Sequence, residues 1–180
     1  MKPISFLLAV ATLGGVLASV APAPGQVAQQ SPPVFVTKIP AGYRDWKLVS
    51  VAHEAGNLNS IGAVLGNDVA IKAFRDKTLP YPDGTMIAAL HWSHTASAEN
   101  NAVFGDAQSF VAGAPTNAQF MIKDSKKYAA TGGWGFGHFN KDGKPGDAAF
   151  MKPCYPCHAM ASRDGVFTQY AFSYAESPQK

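Results

Sequence analysis

The sequence predicts an α+β fold, a mainly antiparallel β-sheet with a few short helices, and three observations carry this. Short runs of period-two alternation recur along the chain, each bounded by Gly, Pro, Asn or Asp. One run, Gly132-Gly133-Trp134-Gly135-Phe136-Gly137-His138-Phe139, alternates glycine with rings, and a strand would place its aromatics on one side. Helical signals are brief, the clearest being Asn67-Asp68 as an N-cap ahead of a short amphipathic stretch.

The elements follow in order. Met1-Lys2 and the apolar and small residues 4–20, then an Ala-, Pro-, Gly- and Gln-rich stretch, have the layout of an export leader. Residues 1–25 are therefore expected to be a signal peptide, with cleavage after Ala18, Gly25 or Ala28. The apolar run, with Gly14 and Gly15 inside it, falls short of the ~20 residues of a spanning helix, so no retained anchor is expected. Residues 26–40 read as an extended lead-in that need not pack, and residues 41–180 as one domain with a real core. The expected location is periplasmic or secreted.

Within the domain, residues 43–53 contain a strand-like alternation, with Trp46, Leu48 and Val49/Val51 against Lys47 and Ser50. Residues 57–66 are mixed. The helix from Asn67 runs through Lys77, with Val69, Ala70, Ala73 and Phe74 inward and Lys72, Arg75 and Asp76 outward. Pro80 and Pro82-Asp83-Gly84 close it with a turn. Residues 85–94 form a strand in which Met86, Ala88, Leu90 and Trp92 share a face. Residues 96–105 read as a polar loop, 109–111 and 118–123 as two strands, and 124–128 as one helical turn. Residues 142–146 are a loop, and 166–172 a short closing segment.

The only two cysteines of the chain stand in Cys154-Tyr155-Pro156-Cys157-His158. If a helix starts near Pro153, these three side chains share one face, because positions three and four apart are neighbours on a helix. Two thiols can then add to the vinyl groups of one haem while His158 ligates its iron, which is the attachment chemistry of haem c. A redox disulfide would need a thioredoxin-like strand before the motif and gives no role to His158. A zinc site needs four ligands where this half-site offers fewer. The expected cofactor is one haem c, covalent through Cys154 and Cys157, with His158 as the metal ligand. Charge adds little: 15 basic and 12 acidic residues give a net +3, with no like-charge cluster, which disfavours nucleic acid and anionic membranes as partners.

Taken in order, Tyr43-Arg44-Asp45-Trp46, Pro82-Asp83-Gly84-Thr85, the stretch from Phe120 to Tyr128, Gly133-Trp134-Gly135-Phe136, the haem motif and Asp164-Gly165-Val166-Phe167-Thr168 resemble the cytochrome P460 family. The resemblance implies a mostly antiparallel β fold, often a homodimer, with one haem c whose iron has His as its only protein ligand. It further implies oxidation of hydroxylamine and nitric oxide, or, as in the related cytochrome c′-beta branch, binding of small gases. In the enzyme a lysine after the Asp-Gly-Thr turn cross-links to the haem edge, and a glutamate precedes the Val-Lys-Asp-type segment. Here those positions are Ala89 and Gln119. Alanine has no nucleophile, and glutamine donates a hydrogen bond but cannot serve as a general base.

Other residues are weighed for the site. Trp134, Phe136 and Phe139 are candidate haem-wall aromatics, and Arg163 is a candidate for the proximal pocket or a propionate against the simpler reading of a solvated helix-end charge. His53, His91, His94 and His138, with Met86 and Met121, are the candidates for a sixth ligand, while Met160 stays on the proximal side. Lys123, Lys126 and Lys127 read as solvent-facing charges. The leading function is an exported mono-haem cytochrome whose open iron binds nitric oxide or a similar nitrogen-oxide ligand, with a redox partner the sequence does not identify. A hydroxylamine or nitric oxide oxidoreductase and a six-coordinate electron carrier are the alternatives.

Overall fold

A computed structural model gives the fold and describes residues 35–171. The expected leader, residues 26–34 of the lead-in and Phe172 lie outside the described residues. Five strands, β1 (Lys47–Glu54), β2 (Ser60–Gly66), β3 (Met86–Ala96), β4 (Phe110–Lys123) and β5 (Trp134–Asn140), pair in chain order as one antiparallel sheet. The helices are short: α1 (Asp68–Asp76), α2 (Ala98–Phe104), α3 (Ala148–Met151) and α4 (Cys154–His158). The α+β expectation holds. Among the described residues no helix is long and apolar enough to cross a membrane.

Helix α1 starts where its cap predicts. The Asn67 side chain accepts from Ala70 N–H at 2.9 Å, and the same oxygen accepts from Met86 N–H at 3.1 Å, tying the helix to β3. Lys77, with φ 53°, ends it in the left-handed region. The buried face is Ala70, Ile71, Ala73 and Phe74. Val69 is instead 38% exposed and Ile71 takes its place, because the stripe facing the sheet is centred one position later than the cap suggests.

Several elements differ from their sequence-based expectation. Residues 57–66 supply β2, which pairs on both sides, and the two short strands expected at 109–111 and 118–123 are one long β4. Pro115 lies inside it, at a register irregularity opposite Trp92, where a strand tolerates proline. The polar loop expected at 96–105 contains α2, which buries none of its residues and is held by its ends. Ser97 Oγ accepts from Asn100 N–H, and Asn101 Oδ1 accepts from Ser109 N–H at 2.7 Å. In β1 only Val49 is buried; a register shift between Leu48 and Ser50 turns Leu48 and Val51 outward. The lead-in packs from Val36 on: its N–H donates to Phe136 O at 2.6 Å, and its side chain is buried. The turn at 124–128 forms, closed by Tyr128 N–H to Asp124 O at 3.0 Å.

The sheet separates two cores. Val36, Ala88, Leu90, Phe120, Tyr128 and Phe139 fill one face, with Phe120 and Phe139 in edge contact at 5.6 Å. Ile87, Trp134, Phe136 and Val49 pack with α1 and Tyr81 on the other. The glycines of β5 belong to the first core. A Cβ on Gly135 would lie 2.3 Å from the Tyr128 ring, and one on Gly137 would lie 2.7 Å from Val36 O. The glycine at 135 thus leaves room for the tyrosine ring.

Candidate functional site

The register aligns side chains into rows across the sheet. Ser50, Val64, Ala89, Gln119 and His138 form one row, and Ala52, Gly62, His91, Asn117 and Asn140 the next along the same face. Helix α4 stands over this face. Between them is a cavity of about 500 Å³, lined from the sheet by Glu54, Ala89, His91, Gln119, Met121, Phe136 and His138 and from the other side by Cys154, His158, Val166 and Phe167. A second cavity of similar volume, between α1 and residues 168–170, contains none of the motif residues. The first is the candidate site, and its size lies within the usual range for ligand pockets.

The motif is helical, as its spacing predicts. Cys154 is half-buried, packs against the α1-side core and lines the cavity, His158 lines it too, and Cys157 is the exposed member. Burial pushes the Cys154 thiol above its ordinary pKa. Helix α4 follows α3 instead of a strand, so the disulfide reading loses its structural context. Among the described residues no three His, Cys, Asp or Glu side chains converge on a bare metal ion.

His158 is fixed by its second nitrogen. Nδ1 lies 2.7 Å from Gly165 O, and a carbonyl only accepts, so Nδ1 carries the proton and Nε2 keeps its lone pair for a metal. Rings at both sides hold it, with centroids of Phe136 at 5.0 Å and Phe167 at 5.1 Å. The donor set therefore fits a haem: one thiol and the imidazole face a common apolar-floored cavity, with the second thiol on the adjacent helix turn.

The opposite wall decides what else can bind. Ala89 and Gln119 are cross-strand partners at its centre, so the two positions singled out from the sequence do meet. Gln119 Nε2 donates to Asn117 Oδ1 at 3.2 Å. His138 is the cross-strand neighbour of Gln119, and burial, aided by the nearby His91, pushes its pKa below 6.5. His91 Nδ1 lies 3.7 Å from Glu54 Oε2, which also accepts from Ser60 Oγ at 3.2 Å. Glu54 was not singled out by the sequence. The histidines have a signal in parity alone, since His91 lies two residues past Ala89 and His138 two past Phe136.

Of the remaining candidates, Met121 alone lines the cavity. His53 and His94 stack at 4.1 Å, with His94 against Phe110, and neither lines the cavity. Met86 does not line it either and Met160 is 77% exposed; Met121 is its one methionine. Phe139 is buried in the other core. Trp134 is buried behind Phe136, its Nε1 donating to Asp164 O at 2.7 Å. Arg163 lines the second cavity beside Tyr81 and donates to Phe167 O. Tyr81 is pushed up to about 12 by burial, a shift that Arg163 opposes.

Lysine placement corrects one expectation. Lys126 and Lys127 are exposed, but Lys123 is 6% exposed, donating to Asp164 Oδ2 at 2.8 Å and Gly132 O at 2.9 Å, with the Trp134 ring 4.9 Å away. Its strand ends where Trp134 and the 164–165 loop close over it, which no local pattern reveals. Among the described residues no lysine lines the cavity.

Comparison with known proteins gives one family match: the family model described as cytochrome P460 covers residues 40–168. No curated protein matches the chain.

Proposed function

The chain is a member of the cytochrome P460 family, and from that premise we propose an exported mono-haem c-type cytochrome whose distal iron site is open to nitric oxide or a similar nitrogen-oxide ligand. In this reading Cys154 and Cys157 form the thioethers and His158 is the proximal ligand. The haem, when bound, supplies the redox-active iron and its ligand exchange. The chain's own residues hold the imidazole, exclude water with Phe136 and Val166, and offer polar groups opposite His158.

The observation that carries the reading is a single cavity with Cys154 and His158 on one side and Ala89, Gln119, His91 and His138 on the other. The Gln119 amide and a neutral His138 can donate hydrogen bonds to a bound ligand. His91 is turned to Glu54 and Met121 packs with the α1-side core, which favours a five-coordinate iron over a His/Met carrier. Ala89 offers no nucleophile for a cross-link to the haem edge, so an ordinary haem c spectrum belongs to this proposal.

The test uses protein made with a cytochrome c maturation system. Its haem should survive denaturation and acidified-solvent extraction, and the resting iron should be high-spin and bind nitric oxide. Extraction of the pigment would overturn the attachment, and a low-spin resting spectrum abolished by substituting Met121, His91 or His138 would overturn the open site.

A further inference from the structure

The corner at Asp164-Gly165 gathers more contacts than a surface loop requires. Asp164 has φ 48° and Gly165 φ 80°, two successive left-handed residues of which the first is not glycine. Such a conformation persists where neighbours over-determine it, and here four separate parts of the chain do so. Lys123, at the end of β4, donates to Asp164 Oδ2 at 2.8 Å. Tyr81 N–H, in the turn after α1, donates to the same oxygen at 2.9 Å. Trp134 Nε1, at the start of β5, donates to Asp164 O at 2.7 Å. The next carbonyl, Gly165 O, accepts from His158 Nδ1 at 2.7 Å.

The Lys123 and Asp164 side chains are 6% and 19% exposed. Taking an ion pair out of water is costly, and an apolar pair of similar size often serves stability as well or better. Stability alone therefore gives weak reason for it. Its two ends do have a geometric consequence: Lys123 also donates to Gly132 O at 2.9 Å, which joins the β4–β5 turn to the loop that follows α4.

We propose that Lys123 and Asp164 are a positioning pair for the proximal imidazole, holding the Gly165 carbonyl against His158 so that the ring keeps one tautomer and one orientation. The proposal rests on the reading of His158 as the iron ligand. Hydrogen bonding at the far nitrogen raises the basicity of a metal-bound imidazole and fixes its ring plane. Loosening the corner weakens that bond, so the iron–imidazole bond weakens and its geometry spreads.

Resonance Raman of the haem-loaded ferrous protein reads this directly through the iron–imidazole stretch. Asp164→Asn and Lys123→Met are expected to move the band to lower frequency and broaden it. Lys123→Arg, which keeps the charge, should fall between them and the parent. Trp134→Phe removes one donor to Asp164 O and should give a smaller shift in the same direction; if the two charge-removing variants do not fold, Lys123→Arg carries the test of the pair. A band unchanged in Asp164→Asn and Trp134→Phe, while their melting temperatures fall, would make the pair structural only and overturn the proposal, with the ligand assignment intact. A band that survives His158→Ala overturns the ligand assignment and this proposal with it, whereas a parent that shows no such band because its iron is six-coordinate overturns the open site and this proposal with it.

Discussion

The two residues on the sheet wall opposite His158 are the sharpest test of what this cavity can do. Gln119 stands across from Ala89, and neither offers a base or a nucleophile. A positioned general base contributes ~10²–10⁴-fold to rate, so with glutamine at 119 hydroxylamine turnover should be slow while nitric oxide still binds, and any turnover that relies on the neutral His138 beside it should fall further in His138→Phe. Gln119→Glu is expected to raise steady-state hydroxylamine oxidation above the parent, and Ala89→Lys to yield a species whose cross-link mass spectrometry can map. Rapid turnover by the unaltered protein would refute the comparison of positions. His138 gives a pH prediction. Its folded pKa lies below its unfolded value near 6.5, so below that pH the unfolded chain binds more protons. Its contribution to stability is present above pH 6.5 and is lost as the pH falls through the lowered folded value. Thermal melts at pH 7.5 and pH 5 should show a smaller acid loss for His138→Phe than for the parent.

At the scale of elements, β5 shows why glycine alternates with aromatic rings. Trp134 and Phe136 face the α1-side core, while Gly135 and Gly137 leave room on the other side for Tyr128 and the Val36 backbone. Gly135→Ala should therefore destabilise the protein by about 1–3 kcal/mol through overpacking, measured by urea denaturation. Pairing it with Tyr128→Leu should cost less than the two single changes together, because both act on one contact. Helix α2 teaches a different lesson. It buries nothing, so no hydrophobic period marks it, and its cap at Ser97, the left-handed Gly105 at its end and the Asn101 ties to Gln108 and Ser109 define it. The long β4 lacks a local signal for a related reason: its middle is mostly exposed, and pairing with β3 holds it extended through Pro115.

For the whole molecule, the two faces of the sheet are unequal. The Phe120 and Phe139 side is closed by its own side chains, whereas the α1 side opens into the cavity that α4 covers. If haem is attached as proposed, removing it with Cys154→Ala/Cys157→Ala should lower the melting temperature, since a ligand bound to the native state alone adds to its stability. Amide exchange in that variant should quicken across residues 148–171 and leave β3 and β4 protected. Uniform loss of protection would show that the haem organises the sheet as well. The sequence by itself determined the helix cap at Asn67, the fold class, and the helical grouping of Cys154, Cys157 and His158, because covalent spacing along a strand or helix sets these locally. The pairing register decided that Ala89 meets Gln119, and it added Glu54, His91 and His138 to their wall. Tertiary structure also made Lys123 a buried partner of Asp164 and sent Arg163 to the second cavity. A charge 41 residues from its counterion has no local signature; its burial depends on which segments the fold closes over it.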